Sequence, residues 1–182
     1  ILFGGLALLC ILWVHNWYQG KNAPSVMDVA GVQSGEAVAY FAGGCFWCVE
    51  SDFEKLPVVK DVVSGYMGGE VENPTYLQVA GGGTQHREAV KVVYDPSATT
   101  YRELVLHLLR HTDPTDDGGS FGDRGRQYTS AIYYQTEEEK AIAQSVIEEL
   151  DARQVFENPI ATSVEPAGTF WRAEDYHQDY HE

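Results

Sequence analysis

The sequence predicts a mixed β-sheet with helices packed on it, in a two-layer domain of the α+β or α/β class. Apolar runs of strand length alternate with stretches of helix length, in the order β-α-β, loop, β-α, loop, β-α-β. Two polar, glycine-rich loops interrupt this order. Long loops in compact domains are often functional, so these two loops are where we expect a site.

The first half of the domain is predicted from apolar runs that end at glycine or proline. Residues Ala37–Ala42 form such a run and end at Gly43-Gly44, as a buried strand does. Apolar side chains then recur at helical spacing over Cys45–Leu56, and Pro57 stops that helix. The remaining elements of this half are a strand over Val58–Tyr66, a loop over Val71–Gly83 and an alternating strand over Arg87–Tyr94.

The second half adds two longer helices. An amphipathic helix is predicted over Thr100–His111, and Thr136 caps another over Glu137–Gln154, whose first turn is acidic. The other elements predicted here are the polar loop Asp113–Gly125, strands over Gln127–Tyr134 and Ile160–Glu165, and a helical tail over Ala173–Glu182. We expect that tail to fray over Asp175–Glu182, with its acidic residues on a solvated face.

Composition limits the class of protein. A chain of 182 residues with 44% hydrophobic and 21% charged residues predicts one globular domain and excludes wholesale disorder. The 12 Lys and Arg residues against 27 Asp and Glu residues argue against nucleic-acid binding, which needs a basic face. Three cysteines are too few for a disulfide scaffold. We expect a monomer.

The first 19 residues indicate a membrane segment. Ile1–Val14 carries no charge and would span about 21 Å as a helix, short of a hydrocarbon core of ~30 Å, and interfacial aromatic residues follow it. We expect an uncleaved signal anchor over 1–19, with a cleaved signal or a buried helix as alternatives. Residues 20–36 indicate a linker and 37–182 the domain. We expect that domain to be extracytoplasmic, with a cytoplasmic location as the alternative.

The stretch Gly43–Glu50 (GGCFWCVE) carries the most chemical information. It places Cys45 after a strand and in the first turn of a helix, where free backbone amides and the helix dipole stabilise a thiolate. We therefore expect Cys45 to be a nucleophile with a lowered pKa. Cys48 lies one helical turn further on, where it can attack a derivative of Cys45 and close a disulfide.

Three other interpretations of the two cysteines stay open. They would fit buried structural residues. They would also fit a zinc site, because His107 and His111 have ligand-like spacing, although the gap between the two pairs is far longer than in a zinc finger. The third interpretation is a thioredoxin-like disulfide exchanger, against which the bulky Phe46-Trp47 pair counts.

The stretch Gly44-Cys45-Phe46-Trp47 with Glu50 resembles the signature of the A-type peptide methionine sulfoxide reductases. Further matches follow in the family's order: Ser64-Gly65-Tyr66 with Gly68-Gly69, Asn73-Pro74-Thr75-Tyr76, His86-Arg87-Glu88-Ala89-Val90, Tyr94-Asp95-Pro96, His111 with Asp113-Pro114, Gly122-Asp123 to Gln127-Tyr128, and Ala173-Glu174-Asp175-Tyr176-His177-Gln178. The resemblance implies an α+β plait with a ferredoxin-like core. It also implies reduction of the S-epimer of methionine sulfoxide, free or in proteins, with electrons from thioredoxin or an equivalent dithiol protein and no bound metal or cofactor.

The resemblance also implies a role for each site residue. Cys45 is the nucleophile for the sulfoxide sulfur, and Glu88 is the acid for its oxygen. From its position alone, Glu88 would more often be an exposed strand carboxylate. The remaining implied roles are hydrogen bonds to the same oxygen from Tyr76 and Tyr128, ordering of that network by Asp123, and an apolar wall around the substrate methyl group from Phe46 and Trp47.

The sequence departs from many family members at the resolving thiol. Those members have glycine where this chain has Cys48 and carry resolving cysteines near the carboxy terminus, whereas none of the residues after Cys48 is a cysteine here. We therefore expect Cys48 to resolve the Cys45 sulfenic acid as a Cys45–Cys48 disulfide. The alternative functions are a general thiol–disulfide oxidoreductase and a zinc-binding domain, neither of which needs an acid and two phenols beside the thiols.

Overall fold

The computed structural model describes residues 32–181. The strands are β1 (Ala37–Ala42), β2 (Val59–Met67), β3 (Arg87–Tyr94), β4 (Gly119–Ser120), β5 (Asp123–Arg124), β6 (Ala131–Tyr134), β7 (Ser163–Pro166) and β8 (Trp171–Arg172). The helices are α1 (Phe46–Glu54), α2 (Tyr76–Ala80), α3 (Tyr101–His111) and α4 (Glu137–Ala152), with 3₁₀ turns at Arg126–Tyr128 and Asp175–His177.

The main sheet has six strands in the order β7-β6-β1-β3-β2-β8, while β4 and β5 form a separate hairpin. Neighbouring strands are antiparallel except β6 and β7, so the predicted mixed sheet with packed helices is confirmed. Because Phe41 pairs with Val90, the carboxyl end of β1 lies beside the amino end of β3. The turn at Gly43-Gly44 is thereby brought next to Glu88.

Both faces of the sheet are covered. On the helical face, Phe41 of β1 stacks on Phe53 of α1 with ring centroids 5.3 Å apart. The opposite face has a smaller cluster that contains Tyr133 and Phe170. Every residue of β3 is buried as a result, including Glu88 near its start. A strand that looks half-polar in sequence is thus fully enclosed.

The longer predicted elements are confirmed, with bounds that shift by only a few residues. The strand Arg87–Tyr94 has the predicted limits. The helix predicted from Thr100 begins one residue later, because Thr100 is its N-cap and accepts a hydrogen bond from the Glu103 amide. Thr136 caps α4 in the same way. These elements combine apolar periodicity with an explicit cap, which is why their sequences define them.

Each of the two predicted loops contains a short regular element that the sequence analysis missed. The Val71–Gly83 loop includes α2, at whose start the Gln78 side chain accepts a hydrogen bond from the Thr75 amide at 2.8 Å. The Asp113–Gly125 loop includes the β4–β5 hairpin. Elements of two to five residues have too little periodicity to be recognised, and tertiary contacts stabilise them.

Two predicted strands start too early. The first half of the strand predicted over Gln127–Tyr134 is instead a 3₁₀ turn and a bend, and the strand begins at Ala131. The strand predicted from Ile160 begins at Ser163. The physical reason in the second case is that the amides of residues 161 and 162 donate to the carbonyl of Pro114, at 2.7 and 3.1 Å, rather than to β6.

The helix predicted over the tail is wrong. After β8 the chain forms only the 3₁₀ turn Asp175–His177 and then follows an irregular path. The Ala173 amide donates to the Ser64 carbonyl at 2.9 Å, and the Gln178 side chain bonds both the amide and the carbonyl of Ser64. These bonds to the outer edge of β2 replace helical ones. The tail is therefore an ordered part of the domain, held by hydrogen bonds to β2.

Within residues 32–181, no helix has both the length and the apolar character that crossing a bilayer requires. The expected anchor over residues 1–19 and most of the expected linker over 20–36 lie outside the described residues.

Replacing Gly65 with alanine should destabilise the fold by about 1–3 kcal/mol. A Cβ atom there would lie 2.3 Å from the Phe170 ring and 2.4 Å from the Trp171 carbonyl oxygen, so β8 would have to move away from β2. Gly168→Ala is the matched control, because nothing lies within 4 Å of its Cβ position. Urea unfolding of both variants checks this, and equal midpoints would contradict it.

Candidate active site

The turn between β1 and α1 positions Cys45. Gly44 has φ +109°, a conformation that suits glycine, and a Cβ there would lie 2.7 Å from the Ser120 Cβ atom. Cys45 follows as the N-cap of α1, and its carbonyl accepts hydrogen bonds from the amides of Cys48 and Val49 at 3.1 and 3.2 Å. Cys45 lies at the start of the helix, as the sequence predicts, and its side chain is half-buried.

Glu88 lies beside this helix terminus. It is only 1% exposed, and its Oε2 accepts a hydrogen bond from the Phe46 amide at 3.0 Å. The pKa of Glu88 is raised to about 7: burial is the main cause and the Asp123 carboxylate adds to it, while the Phe46 amide and Tyr128 lower it. The exposed strand carboxylate is thus excluded: Glu88 is a buried carboxyl group that can hold a proton near neutral pH.

The expected lowering of the Cys45 pKa is wrong. Burial raises the pKa of the thiol to about 12, and the Glu88 carboxylate raises it as well. The amides of Trp47 and Cys48 lower it, as the helix terminus predicts, but their effect is smaller. The helix terminus can be predicted from the sequence, but the side chains that bury the thiol cannot. Cys45 and Glu88 form a coupled pair in which a charge on one disfavours a charge on the other.

Two phenols from the two loops meet at Glu88. Tyr76 begins α2, and Tyr128 lies in the 3₁₀ turn that follows the hairpin. The Tyr128 phenol lies close enough to the Glu88 carboxyl group and to the Tyr76 hydroxyl group to lower the pKa of each. Burial raises the pKa of both phenols, and the charges of Glu88 and Cys45 raise it further. Both hydroxyl groups therefore stay protonated and can donate hydrogen bonds to a bound oxygen.

Asp123 lies on the exposed β5 strand, paired with Ser120 across the hairpin. Its carboxylate acts on the site through charge, since it raises the pKa of Glu88 and of Tyr128. The structure therefore brings Asp123 close to the predicted network. Its influence is electrostatic.

Phe46 and Trp47 form an aromatic surface beside Cys45. Phe46 is buried, with its ring centroid 5.9 Å from that of Tyr66 and 6.4 Å from that of Tyr76. Trp47 is half-buried, and the Tyr180 ring stacks on it at 3.8 Å with an interplanar angle of 7°. Phe46 and Trp47 thus lie together beside Cys45, and Tyr180 of the tail packs against Trp47.

Cys48 is exposed on the first turn of α1, while Cys45 is half-buried, and both are free thiols. A dithiol protein approaching from solvent would therefore meet Cys48 first. The carbonyl of Cys45 accepts a hydrogen bond from the Cys48 amide, so the two residues belong to one helical turn.

Several residues of the tail that the sequence did not single out also lie at the site. Glu174 accepts hydrogen bonds from the Tyr66 hydroxyl at 2.9 Å and from the Tyr76 amide at 3.0 Å. His177 is 1% exposed and accepts a hydrogen bond from the Trp47 indole. A signal was available, because Ala173–Gln178 matches the family motif. The charged composition of the tail instead suggested a solvated face.

The zinc interpretation has no supporting geometry in residues 32–181, where no group of three or more His, Cys, Asp or Glu side chains is arranged to hold a metal ion. His107 and His111 have local roles instead. The His107 Nε2 donates to the Asp52 carbonyl at 3.2 Å, and the His111 Nδ1 donates to the His107 carbonyl at 2.8 Å.

Comparison with known proteins points to one family. A model of the peptide methionine sulfoxide reductase family matches residues 37–182. The peptide methionine sulfoxide reductase MsrA/MsrB of Vibrio cholerae is 46% identical over 176 residues, 97% of this chain, which spans 46% of that protein. The peptide methionine sulfoxide reductase MsrA of Streptococcus agalactiae is 49% identical over 143 residues, covering 79% of this chain and 85% of that protein.

Solved structures agree with these relatives. The reduced form of Mxr1 from Saccharomyces cerevisiae superposes with a TM-score of 0.78 at 30% identity, covering 85% of this chain and 90% of that one. Methionine sulfoxide reductase A of Corynebacterium diphtheriae gives a TM-score of 0.71 at 34% identity, covering 87% and 81%.

Proposed function

Because this chain belongs to the peptide methionine sulfoxide reductase family, we propose that Cys45 and Glu88 together act on the S-epimer of methionine sulfoxide. The activity of this chain is the thiol-dependent reduction of methionine sulfoxide, which repairs oxidised proteins. One observation carries the mechanism: the buried Glu88 carboxyl group is hydrogen-bonded to the amide next to Cys45. A sulfoxide sulfur is a poor electrophile until its oxygen takes a proton, so a nucleophile and an acid must act together.

In the first step the Cys45 sulfur forms a bond to the sulfoxide sulfur while the sulfoxide oxygen takes a proton from Glu88. The oxygen then passes to Cys45, and methionine leaves. The proton that Cys45 loses replaces the one that Glu88 gives. One thiol and one sulfoxide thus yield one sulfenic acid and one methionine. The coupled pair suits this exchange, because ionisation of the thiol and protonation of the carboxyl group favour each other.

Tyr76 and Tyr128 support this step as hydrogen-bond donors to the sulfoxide oxygen. Their raised pKa values keep both phenols protonated while negative charge develops on that oxygen. The effect of Tyr128 on the pKa of Glu88 supports a position of this phenol beside the acid, where both can act on the same oxygen. Asp123 maintains the pKa of Glu88 through its charge.

Phe46 and Trp47 hold the methyl group of the substrate. Their rings lie immediately after Cys45 in α1, with centroids 6.1 Å apart. Apolar contact with the methyl group orients the sulfoxide oxygen away from this wall and towards the phenols. Such a division of the site into apolar and hydrogen-bonding sides is what distinguishes the two epimers of a chiral sulfoxide.

Cys48 completes the cycle. Its thiol condenses with the Cys45 sulfenic acid, which forms the Cys45–Cys48 disulfide and releases water. A thioredoxin-like dithiol protein then reduces this disulfide by exchange, and the exposure of Cys48 supports attack from solvent.

Replacing Cys48 with serine should separate the two halves of the cycle. We expect the first turnover to stay within about threefold of wild type, and steady-state turnover with thioredoxin to fall at least about tenfold, because the sulfenic acid has no resolving thiol. Single-turnover and steady-state assays of methionine release check the two rates, with wild type as the control. Unchanged steady-state turnover would remove Cys48 from this role and leave Cys45 as the nucleophile.

Equal rates of reduction of the R- and S-epimers of methionine sulfoxide by the wild-type enzyme would contradict the substrate assignment.

We also propose that residues 1–19 anchor the chain in a membrane and that 20–36 link the anchor to an extracytoplasmic domain over 37–182. The support is the uncharged sequence Ile1–Val14 and the aromatic residues that follow it. Cell fractionation of the full chain, followed by protease accessibility of the domain, tests both points.

A further inference from the structure

We propose that His177 is a positioning residue that fixes the indole of Trp47 for substrate binding. The inference rests on the proposed function, in which Trp47 contacts the methyl group of the substrate. The Trp47 Nε1 donates a hydrogen bond to the His177 Nδ1 at 3.1 Å, across 130 residues of sequence. The tail thereby contacts the first turn of α1 and binds the N–H edge of the Trp47 indole.

The chemical form of His177 follows from this bond. Because Nδ1 accepts from the indole, its proton must be on Nε2. In the described part of the chain Nε2 is buried and makes no hydrogen bond; the Glu174 Oε2 lies 3.9 Å away. Burial also lowers the pKa of His177, which keeps the ring neutral, as an acceptor must be. A buried donor without a partner is costly, so packing alone does not account for a histidine here.

The rings around His177 and Trp47 restrict the orientation of the indole. The His177 ring lies among those of Phe46 and Tyr76, with centroids 5.0 and 4.4 Å away. Tyr180 covers one face of the Trp47 indole, and His177 binds its N–H edge. A substrate methyl group must therefore meet the uncovered face. The position of that face is set by residues that follow β8.

Two anchors hold the backbone on either side of His177. Before it, Glu174 accepts hydrogen bonds from the Tyr66 hydroxyl and from the Tyr76 amide. After it, the Gln178 side chain bonds the amide and the carbonyl of Ser64, at 3.0 and 3.1 Å. His177 is therefore presented from a fixed segment, which is what a positioning role requires.

Two variants separate the hydrogen bond from the packing. His177→Phe keeps an aromatic ring and removes the acceptor, whereas His177→Asn places an amide oxygen near the position of Nδ1. For methionine S-sulfoxide with thioredoxin, H177F should raise KM about tenfold with kcat within about threefold of wild type, and H177N should recover most of the loss. In a Trp47→Phe background, H177F should add less than about twofold, since its effect passes through Trp47. His181→Phe, an exposed imidazole in the same tail, is the matched control.

A measurement on the unmodified protein covers the case in which a variant does not fold. In ¹⁵N-labelled protein, NMR should detect a coupling across the hydrogen bond between Trp47 Nε1 and His177 Nδ1, with the ring proton of His177 on Nε2. Absence of that coupling would overturn the inference. An H177F enzyme with wild-type KM, or one with the same additional loss in the W47F background, would also overturn it. Wild-type protein that does not reduce methionine sulfoxide would instead refute the proposed function, and the NMR result would stand independently.

Discussion

We expect a Cys45→Ser variant to release no detectable methionine from methionine S-sulfoxide, which corresponds to a fall in kcat/KM of at least about 1,000-fold. A serine hydroxyl at this helix terminus cannot accept the oxygen as a sulfenic acid, so neither half of the cycle can start. The loss should be the same at every reductant concentration, because it precedes the reductant. Single-turnover methionine release, measured by chromatography, checks it.

Cys48→Ser is the matched control, since it removes the other thiol of the same helical turn. It should still release about one methionine per chain. Release of methionine by C45S but not by C48S would mean that the two thiols have exchanged roles. Wild-type release of methionine by both variants would show that neither thiol is the nucleophile.

A Glu88→Gln variant should have two opposite effects on Cys45. Single-turnover reduction should fall by about 100–1,000-fold, because glutamine cannot give a proton to the sulfoxide oxygen. The pKa of Cys45 should fall at the same time. The Glu88 carboxylate raises that pKa in the wild type, and the neutral amide does not repel a thiolate. Alkylation of Cys45 by iodoacetamide, followed by peptide mass spectrometry, should therefore shift to lower pH.

Glu50→Gln is the control for the loss of a buried carboxyl group. Burial raises the pKa of Glu50 to about 7, as it does for Glu88, but Glu50 accepts its hydrogen bond from the Ser64 amide. Its replacement should leave the pH dependence of Cys45 alkylation unchanged. An E88Q variant that reduces sulfoxide at the wild-type rate would exclude Glu88 as the acid. A rise in the pKa of Cys45 would contradict the electrostatic coupling.

Sequence alone predicts the elements that carry periodicity and caps. The order of strands and helices around Cys45 follows from apolar spacing, and the caps at Thr100 and Thr136 define two helices. The position of Cys45 at the start of α1 can be predicted for the same reason, since it depends on local sequence. The short helix α2 and the β4–β5 hairpin cannot, because contacts from distant residues stabilise them.

Properties that depend on burial cannot be predicted from the sequence. Glu88 looks like an exposed strand carboxylate until both faces of β3 are seen to be covered. The direction of the Cys45 pKa was wrong for the same reason, because burial and Glu88 outweigh the helix terminus. The helix predicted for the tail is wrong as well, because Glu174 and His177 are anchored to the site. The acidic residues Asp175 and Asp179 are exposed, as predicted.

The central claim, a Cys45 sulfenic acid resolved by Cys48, is tested most directly by mass spectrometry without a reductant. Reduced protein is mixed with one equivalent of methionine S-sulfoxide, and both the methionine and the mass of the protein are measured. We predict one methionine per chain and a loss of about two mass units, mapped to a Cys45–Cys48 disulfide. No methionine, with both thiols unchanged, would contradict the account.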